Sequence, residues 1–506
     1  MSKVRRWLVL WTVSAGVLLI AVDMTVLYTA LPTLTHDLQA TASEKLWIIN
    51  AYPLVMAGLL LGAGALGDRV GHKRMFLAGL VLFGLTSVLA AFAPSAAVLI
   101  AARAFLAVGA AAMMPATLAL IRITFTDPRE FGVAIGVWGG LSVCGVALGP
   151  IVGGLLLEYF WWGSAFLINV PVVAVAIVAT ILVAPDSKGD PAHPWDLIAS
   201  LQVMVGLVGL VYAIKEVTKP DPSMSATVIA LVVSLIGFWF FGRRQRKQPY
   251  PLIDFGLFRD RRILTGVIAA SLSMFTVAGV QLVLTQRFQL VLELTPLHAG
   301  LIVAAEAVGA LPASIVAGAL LHRWGAKLVI SAGMLISAIG VASLLLVVSA
   351  DPIYATIGLV VTGAGLGAAM AAASSSILGN APAHRAGMAS SVEEVSYEFG
   401  SLTGVAILGS VLGLVYTSTV SLPDGADPSA ANSIDDARIA AAGMSDGEAS
   451  ALLTAANSAF DTGYIVVVAV SAVALLGAAV LSAFLLRRSP TGNEMDKATA
   501  GSVHGH

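Results

Sequence analysis

The 506-residue chain is poor in most of what a soluble surface is made from. Charged residues make up 11% of it, against roughly 25% in an average soluble domain. Cysteine occurs once, at Cys144, which excludes an intramolecular disulfide and any cysteine cluster for a metal. Positive charge is not concentrated either. With 28 Lys and Arg against 29 Asp and Glu the net charge is −1, which argues against nucleic acid as a partner. No Walker A sequence occurs, so the chain cannot itself fuel work with ATP, and an ion gradient is the default energy source. Neither H-E-x-x-H nor G-x-S-x-G is present and the eight histidines are scattered, so hydrolase chemistry has no foothold. What is abundant is apolar: 58% of residues, with a mean hydropathy of +0.91. That excludes both a soluble globular enzyme and a disordered chain. Fifty glycines beside 7% aromatics suit helices packed closely in lipid. The composition is that of an all-α polytopic membrane protein.

A spanning helix needs about 20 mostly apolar residues. Fourteen such stretches are legible, near 7–31, 46–66, 75–92, 96–121, 131–157, 164–184, 197–215, 224–242, 263–286, 296–320, 328–349, 353–379, 388–416 and 461–486. The first is too long for a signal peptide and carries Asp23, so it reads as a retained helix. Lys and Arg set the orientation. The N-terminus, the even-numbered loops and the tail carry 22 of the 28, five lie in odd loops or at their helix ends, and Arg103 alone lies inside a span. Both termini are therefore expected in the cytoplasm.

The chain also repeats itself. Gly64-Ala-Leu-Gly-Asp68-Arg69-Val-Gly71-His-Lys73-Arg74 follows the second span, and Gly318-Ala-Leu-Leu-His322-Arg323-Trp-Gly325-Ala-Lys327 follows the tenth. On this repeat, residues 1–190 and 263–486 are two six-helix bundles. Residues 191–262 are an inserted helix pair with a basic cytoplasmic linker, and 487–506 a cytoplasmic tail. In the linker, Leu252, Ile253, Phe255, Leu257 and Phe258 alternate with charges, as in an amphipathic helix on the inner surface. The loop 417–460 is long and acidic, with Asp424, Asp427, Asp435, Asp436, Asp446 and Glu448 against Arg438. It is either a solvated extracellular tether or a helical cap over the outer mouth.

Residues 64–74 resemble the loop 2–3 signature of the major facilitator superfamily. Gly145-x-x-x-Gly149-Pro150-x-x-Gly153-Gly154 is similar to the signature of its antiporters. Leu46-Trp-Ile, Ala116-Thr-Leu, Ala165-Phe-Leu-Ile-Asn-Val-Pro171, Pro251-Leu-Ile-Asp254 and Val392-Glu-Glu-Val-Ser-Tyr-Glu398 resemble its fourteen-helix drug:proton antiporters, of the QacA, SmvA and LfrA type. The resemblance spans nearly the whole chain. It implies the major facilitator fold in a bacterial cytoplasmic membrane. It also implies proton-coupled export of lipophilic cations such as quaternary ammonium compounds, dyes and biguanides, with no cofactor beyond the proton gradient. A monomer is expected.

Ionisable residues in spans cost about 2.5–3.5 kcal/mol on insertion scales and so face the bundle interior or a wet cavity. Asp23 lies about 24 Å along the first span and Glu306 about 15 Å into the tenth, at 1.5 Å per residue. Each can let proton and organic cation compete for one carboxylate, or can serve as a structural hydrogen bond. Span 13 opens with Glu393, Glu394, Tyr397 and Glu398, whose spacing stacks them on neighbouring faces. They form either a proton relay and second charge site, or hydrated residues at the inner mouth. Arg103 must be paired, with Asp23 the first acid to test, and its position matches the arginine that the superfamily's antiporters use in coupling. Asp68 and Arg69 read as a gate, with Asp68 capping the third helix and pairing with Arg74 or Arg122. Gly145, Gly149, Gly153 and Gly154 with Pro150 imply close packing and a kink. Asn50 and Ala310 stand where relatives carry acids, which puts divalent substrates in question. The rival reading is the same fold exporting one specific metabolite.

The orientation is checked by labelling introduced cysteines in intact cells. Positions in 417–460 are expected to react from outside and positions in 243–262 only after permeabilisation. Labelling of both from one side rejects the fourteen-span topology.

Overall fold

The computed structural model describes residues 1–40, 42–186, 189–190, 196–217, 222–248, 251, 253, 255–348, 351–381, 386–423 and 426–486. Every regular element in it is helical. The first bundle is α1 (Lys3–Asp37), α2 (Ala42–Val70), α3 (His72–Ala91), α4 (Ala96–Thr124), α5 (Pro128–Tyr159), α6 (Ser164–Leu167) and α7 (Asn169–Val183). Then come α8 (Leu197–Val217) and α9 (Met224–Gln245). The second bundle is α10 (Arg261–Gln286), α11 (Pro296–Ser343), α12 (Ala355–Asn380), α13 (Ala386–Thr419), α14 (Ile434–Ala441) and α15 (Asp446–Leu485).

Twelve helices among the described residues are long and apolar enough to span a membrane. One of them, His298–Val347, holds two spans, because Gly325 interrupts α11 with φ 74° and ψ 154°. A further apolar helix, Ile198–Ile214, is shorter. Counted in this way the fold has fourteen crossings. Gly71, between α2 and α3, has φ 97°, so the two glycines of the sequence repeat share a left-handed backbone that only glycine enters cheaply. The helix starts are written locally. Ser95, Asp127, Ser223, Asp260 and Thr295 each accept a hydrogen bond from an amide of the first turn. At Asp127 the amides of Arg129 and Glu130 hold the carboxyl below its usual range.

The buried apolar side chains form one cluster centred on α1–α7 that also takes in Ala270, Ile377, Leu378, Ala389 and Tyr397 of the second bundle, a second across α10–α15, and a small third in which α8 and α9 meet Leu61 of α2 and Val392 of α13. Adjacent helices approach at glycine. A Cβ on Gly58 or Gly62 of α2 would strike Met204 or Ser200 of α8, which seats the inserted pair against the first bundle.

The sixth span holds, running from Ser164 to Val183 with Ile168 still helical at φ −58° and ψ −25°, and it carries Asn169 into the interior. Two sequence expectations change. The linker's amphipathic helix is only a 3-10 turn, Phe255–Arg259. Ile253 and Phe258 of that linker pack on the α8–α9 cluster, while Leu252 and Asp254 lie outside the described residues. The last helix starts at Asp446, fifteen residues before the expected 461, because Leu452, Ala456, Ala459 and Phe460 form a buried face that the flanking acids hide from a hydropathy window. With α14 and a 3-10 turn at Pro428–Ala431, the stretch 417–460 is largely helical, and the Tyr416 hydroxyl donates to the Ala430 carbonyl (3.0 Å). The linker residues 191–194, Asp424 and the tail 487–506 lie outside the described residues.

Call the side of Lys3 the near side. Here the bundles meet main chain to main chain. A Cβ on Gly132 of α5 would collide with the Gly318 carbonyl of α11, and the reverse also holds. Gly132→Val is therefore expected to keep near-side closure from forming. Efflux should fall at least tenfold with membrane expression within twofold of wild type, read by dye export and quantitative blotting.

Candidate functional site

Two polar centres lie inside the bundles, and they differ in how far they are satisfied. In the first, Asp23 of α1 and Arg103 of α4 are 1% and 2% exposed and pair at 3.1 Å (Oδ2 to Nη1). The other carboxylate oxygen accepts from Asn169 Nδ2 at 2.7 Å, and the same amide donates to Ser87 Oγ (3.2 Å). Arg103 Nε donates to the Ile48 carbonyl (3.3 Å), and its guanidinium lies 4.7 Å from the Tyr52 ring centre. Both charges thus have a partner and further hydrogen bonds, the condition for tolerating them out of water. Gly145 and Gly149 bring α5 against Ala21 and Thr25, either side of Asp23. Gly154 faces open space, and α5 continues as one helix through position 150. The antiporter-like motif is therefore a packing seam beside the Asp23 pair.

The second centre is in the other bundle. Glu306 of α11 is buried and makes no hydrogen bond or ion pair with any described residue. It borders a small cavity with Thr276 and Gln281 of α10 and Thr362 of α12, otherwise walled by Val277, Val280, Leu284, Val303 and Leu359. The Thr276 hydroxyl is also buried without a partner among the described residues. An unpaired carboxylate away from water is costly, so it is satisfied by a proton or by a cation brought beside it. Ala310, one turn on, is buried with its backbone against Gly367.

Helix α13 carries the acid cluster. Glu393 and Glu394 are 0% and 3% exposed, about 10–12 Å from the helix start at 1.5 Å per residue. They are enclosed, not hydrated at a mouth. Tyr397 donates to Glu393 Oε1 (2.7 Å), while Glu393 Oε2 and Glu394 Oε1 have no partner among the described residues. Glu398 is half-buried, on the side facing α8.

The near-side tie departs from the sequence expectation. Asp68 neither caps α3 nor pairs with Arg74 or Arg122 among the described residues. Its carboxylate crosses to the other bundle and accepts from the amides of Gly387 (3.0 Å) and Met388 (3.2 Å), with His72 Nε2 at 3.2 Å. The first turn of α13 offers free amides, and the His72 ring lies between Gly67 of α2 and Gly387 of α13. Arg122 instead donates to the carbonyls of Leu378 (3.0 Å) and Gly379 (3.3 Å), at the end of α12. Ser391 Oγ donates to the Leu60 carbonyl (2.7 Å). Arg69 and Arg74 are exposed. Lys73 holds the Asp186 carboxyl below its usual range through a 2.9 Å hydrogen bond. These ties close the near side.

The sequence missed several partners. Asn169 sat in a stretch singled out only as a resemblance, and nothing flagged Tyr52 or Ser87. Arg103 is not the lone buried base. Arg287, expected at a helix end, is 2% exposed and binds Asp461 (2.6 Å) and the Val348 carbonyl (2.9 Å), beneath the Tyr464 ring. In the structure Arg287 opens a π-helical turn, which no sequence pattern announced.

Two helical bundles with polar centres inside and a gated near side describe a transporter, not an enzyme. Residues 13–286 and 263–421 each match the Major Facilitator Superfamily profile. The chain belongs to the major facilitator superfamily. It is similar to the methyl viologen resistance protein SmvA of Salmonella typhimurium, 38% identical over 90% of this chain and 93% of that one. It is also similar to the multidrug efflux pump LfrA of Mycolicibacterium smegmatis, 36% identical over 96% of this chain and 97% of that one. The crystal structure of the human organic anion transporter MFSD10 shares the fold at a TM-score of 0.62 and 14% identity, over 96% of this chain and 100% of that one.

The pairing makes a prediction about stability. Asp23→Asn leaves Arg103 charged and unpaired in the interior, a loss of about 3–5 kcal/mol for a broken buried pair. Thermal unfolding in detergent should show a lower melting temperature for Asp23→Asn than for Glu306→Gln. Adding Arg103→Gln to Asp23→Asn should recover part of the loss.

Proposed function

We propose that the protein is a proton-coupled antiporter that exports lipophilic organic cations, such as quaternary ammonium compounds, cationic dyes and biguanides, across a bacterial cytoplasmic membrane. The near side is the cytoplasm on this reading, since it carries most of the Lys and Arg. The structure then represents the state closed toward the cytoplasm. Resistance and efflux in the names of SmvA and LfrA favour export of drugs over export of one metabolite. The protein works as a monomer, because each chain contains both bundles.

The observation that carries the coupling is the contrast between the two centres. Asp23 is already neutralised by Arg103 and held by Asn169. Glu306 has no partner among the described residues and sits among apolar walls with two hydroxyls and an amide. A proton satisfies it when the site is empty, and a monovalent lipophilic cation satisfies it when the proton leaves. Occupancy by one or the other is the exchange that antiport requires. Asp23 and Arg103 act one step removed. When the bundles rock, the pair stays closed as part of the first bundle's frame, and the acids of α13 take or give the proton that follows. With Asn50 and Ala310 in place of acids, a second charge on the substrate must be met by Glu393, Glu394 or Glu398 instead.

The sign of the pH effect follows. Proton and cation compete, so cation affinity rises with pH while Glu306 titrates and levels off once it is ionised. In purified protein, binding of a monovalent quaternary ammonium should release close to one proton per cation. Glu306→Gln should abolish that release and cut proton-driven efflux at least tenfold, with a melting temperature near that of wild type. Wild-type proton release in Glu306→Gln moves the coupling to the α13 cluster.

A further inference from the structure

The inserted helices α8 and α9 belong to neither bundle, and nothing above gives them a task. Helix α8 packs on α2 at Gly58 and Gly62. Helix α9 turns its small residues inward: Gly237 meets the α8 backbone at Gly206, and Ser234 Oγ donates to the Gly206 carbonyl (2.8 Å). Its other face is large and apolar. Val228, Val232, Leu235, Ile236 and Trp239 follow one another at helical spacing and are 48% to 67% exposed. At 1.5 Å per residue the 22 residues of α9 reach about 33 Å, enough to cross a hydrocarbon layer about 30 Å thick. This stripe is therefore a surface for acyl chains.

At the near side the stripe runs straight into positive charge. Four positions past Trp239 comes Arg243, whose guanidinium lies 5.6 Å from the Trp239 ring centre. Arg246 and Lys247 follow within the next turn. Residues 243–262 hold seven bases against two acids. Two of the bases are engaged: Arg244 binds Asp196 (2.6 Å), and Arg262 reaches Asn380 Oδ1 (3.4 Å). The Asp260 carboxylate is engaged as well, accepting from the Arg262 amide (2.7 Å). Arg243, Arg246, Lys247, Arg259 and Arg261 are exposed, and none pairs with an acid among the described residues. The linker is fixed beside the helix end. The Ile253 amide donates to Gln245 Oε1 (3.4 Å), and Ile253 and Phe258 pack on the cluster around Phe241. Phe255, 54% exposed next to Phe258, adds a second aromatic ring at this edge. A helix end attracts a base or two through its dipole. Five uncompensated cations exceed that and call for an anion from outside.

We propose that the near end of α9 is a binding site for an anionic phospholipid, its acyl chains along the Val228–Trp239 stripe and its headgroup phosphate at Arg243, Arg246 and Lys247. Charge complementarity and continuity select this occupant. The guanidinium forks match phosphate oxygens, and Arg259 and Arg261 add to the positive field that a leaflet rich in anionic lipid answers. A choline headgroup brings its own cation and is disfavoured. A soluble anion leaves the apolar stripe unused, whereas a lipid fills both halves of the site at once. The site gives the inserted pair a task. Asp196 joins the start of α8 to the end of α9 through Arg244 and Gln248, so a lipid held at Arg243 fixes both helices at one depth beside α2. The proposal needs only that the chain spans a membrane, and it holds whichever substrate is exported.

The test uses the full chain purified in a neutral detergent. It is offered equimolar phosphatidylglycerol and phosphatidylcholine with matched acyl chains, and retained lipid is counted by native mass spectrometry. A phosphatidylglycerol carrying a diazirine near its glycerol backbone marks where the lipid sits, read by peptide mass spectrometry after illumination. Retention is expected to favour phosphatidylglycerol at least fivefold, with cross-links concentrated in residues 235–247. The triple variant Arg243→Gln, Arg246→Gln, Lys247→Gln should remove those cross-links and lower the preference at least threefold. The charge-keeping triple Arg243→Lys, Arg246→Lys, Lys247→Arg should retain both. All three side chains are exposed, so without added lipid both variants should melt with the wild type. Neutralising Arg323 and Lys327, exposed bases on α11, should leave the cross-links in place. Equal retention of the two lipids overturns the proposal, as do cross-links confined to other helices or an unchanged Gln triple. Displacement of the lipid by millimolar inorganic phosphate also overturns it, since a free anion then satisfies the bases without the stripe.

Discussion

Charge withdrawn from water governs the layout of this protein more than any packing preference does. With a carboxylate or guanidinium in a span, the chain can supply a counter-charge, supply enough hydrogen bonds, or leave the group to be completed from outside. All three solutions occur here. Asp23 and Arg103 complete each other, with Asn169, Ser87 and the Ile48 carbonyl taking up the remaining valences. Arg287 and Asp461 do the same in the second bundle, with the Val348 carbonyl. Glu306 is left without a partner among the described residues, to be completed from outside.

The two bundles consequently have different temperaments. The first holds its central charges in a closed network and meets its neighbour through fixed main-chain contacts. The second holds an uncommitted acid at its centre and a partly satisfied cluster on α13. A rocking motion that opens the near side would leave the first network intact while changing what surrounds the second. Division of labour of this kind lets one half act as a frame and the other as the variable element.

The sequence made the spans legible because length and hydropathy are local properties. It failed where structure depends on what lies across a gap. The early start of α15 was hidden by acids flanking a buried face. Asp23 and Arg103 could be matched as the acid and base deepest in the first bundle, since each needs the other. Asn169 could not, because an asparagine inside a span has many ways to be satisfied. Asp68 was read as a gate from its motif, yet its partners are amides on α13, 319 and 320 positions away, and an amide carries no residue-type signal.

That near-side tie has a genetic corollary. Asp68 grips two backbone amides and Arg122 grips two backbone carbonyls. No exchange of side chain on the receiving helices deletes those partners; it can only push them away, as a Cβ at position 387 would against the Gly64 carbonyl. Half of the latch is thus invisible to point mutation. Positions joined in this way need not drift together, so a search for correlated substitutions would overlook a contact that closes the molecule. Variants that loosen it should concentrate at 68 and 122 themselves, leaving the far halves of the contacts free to vary in side chain wherever space permits.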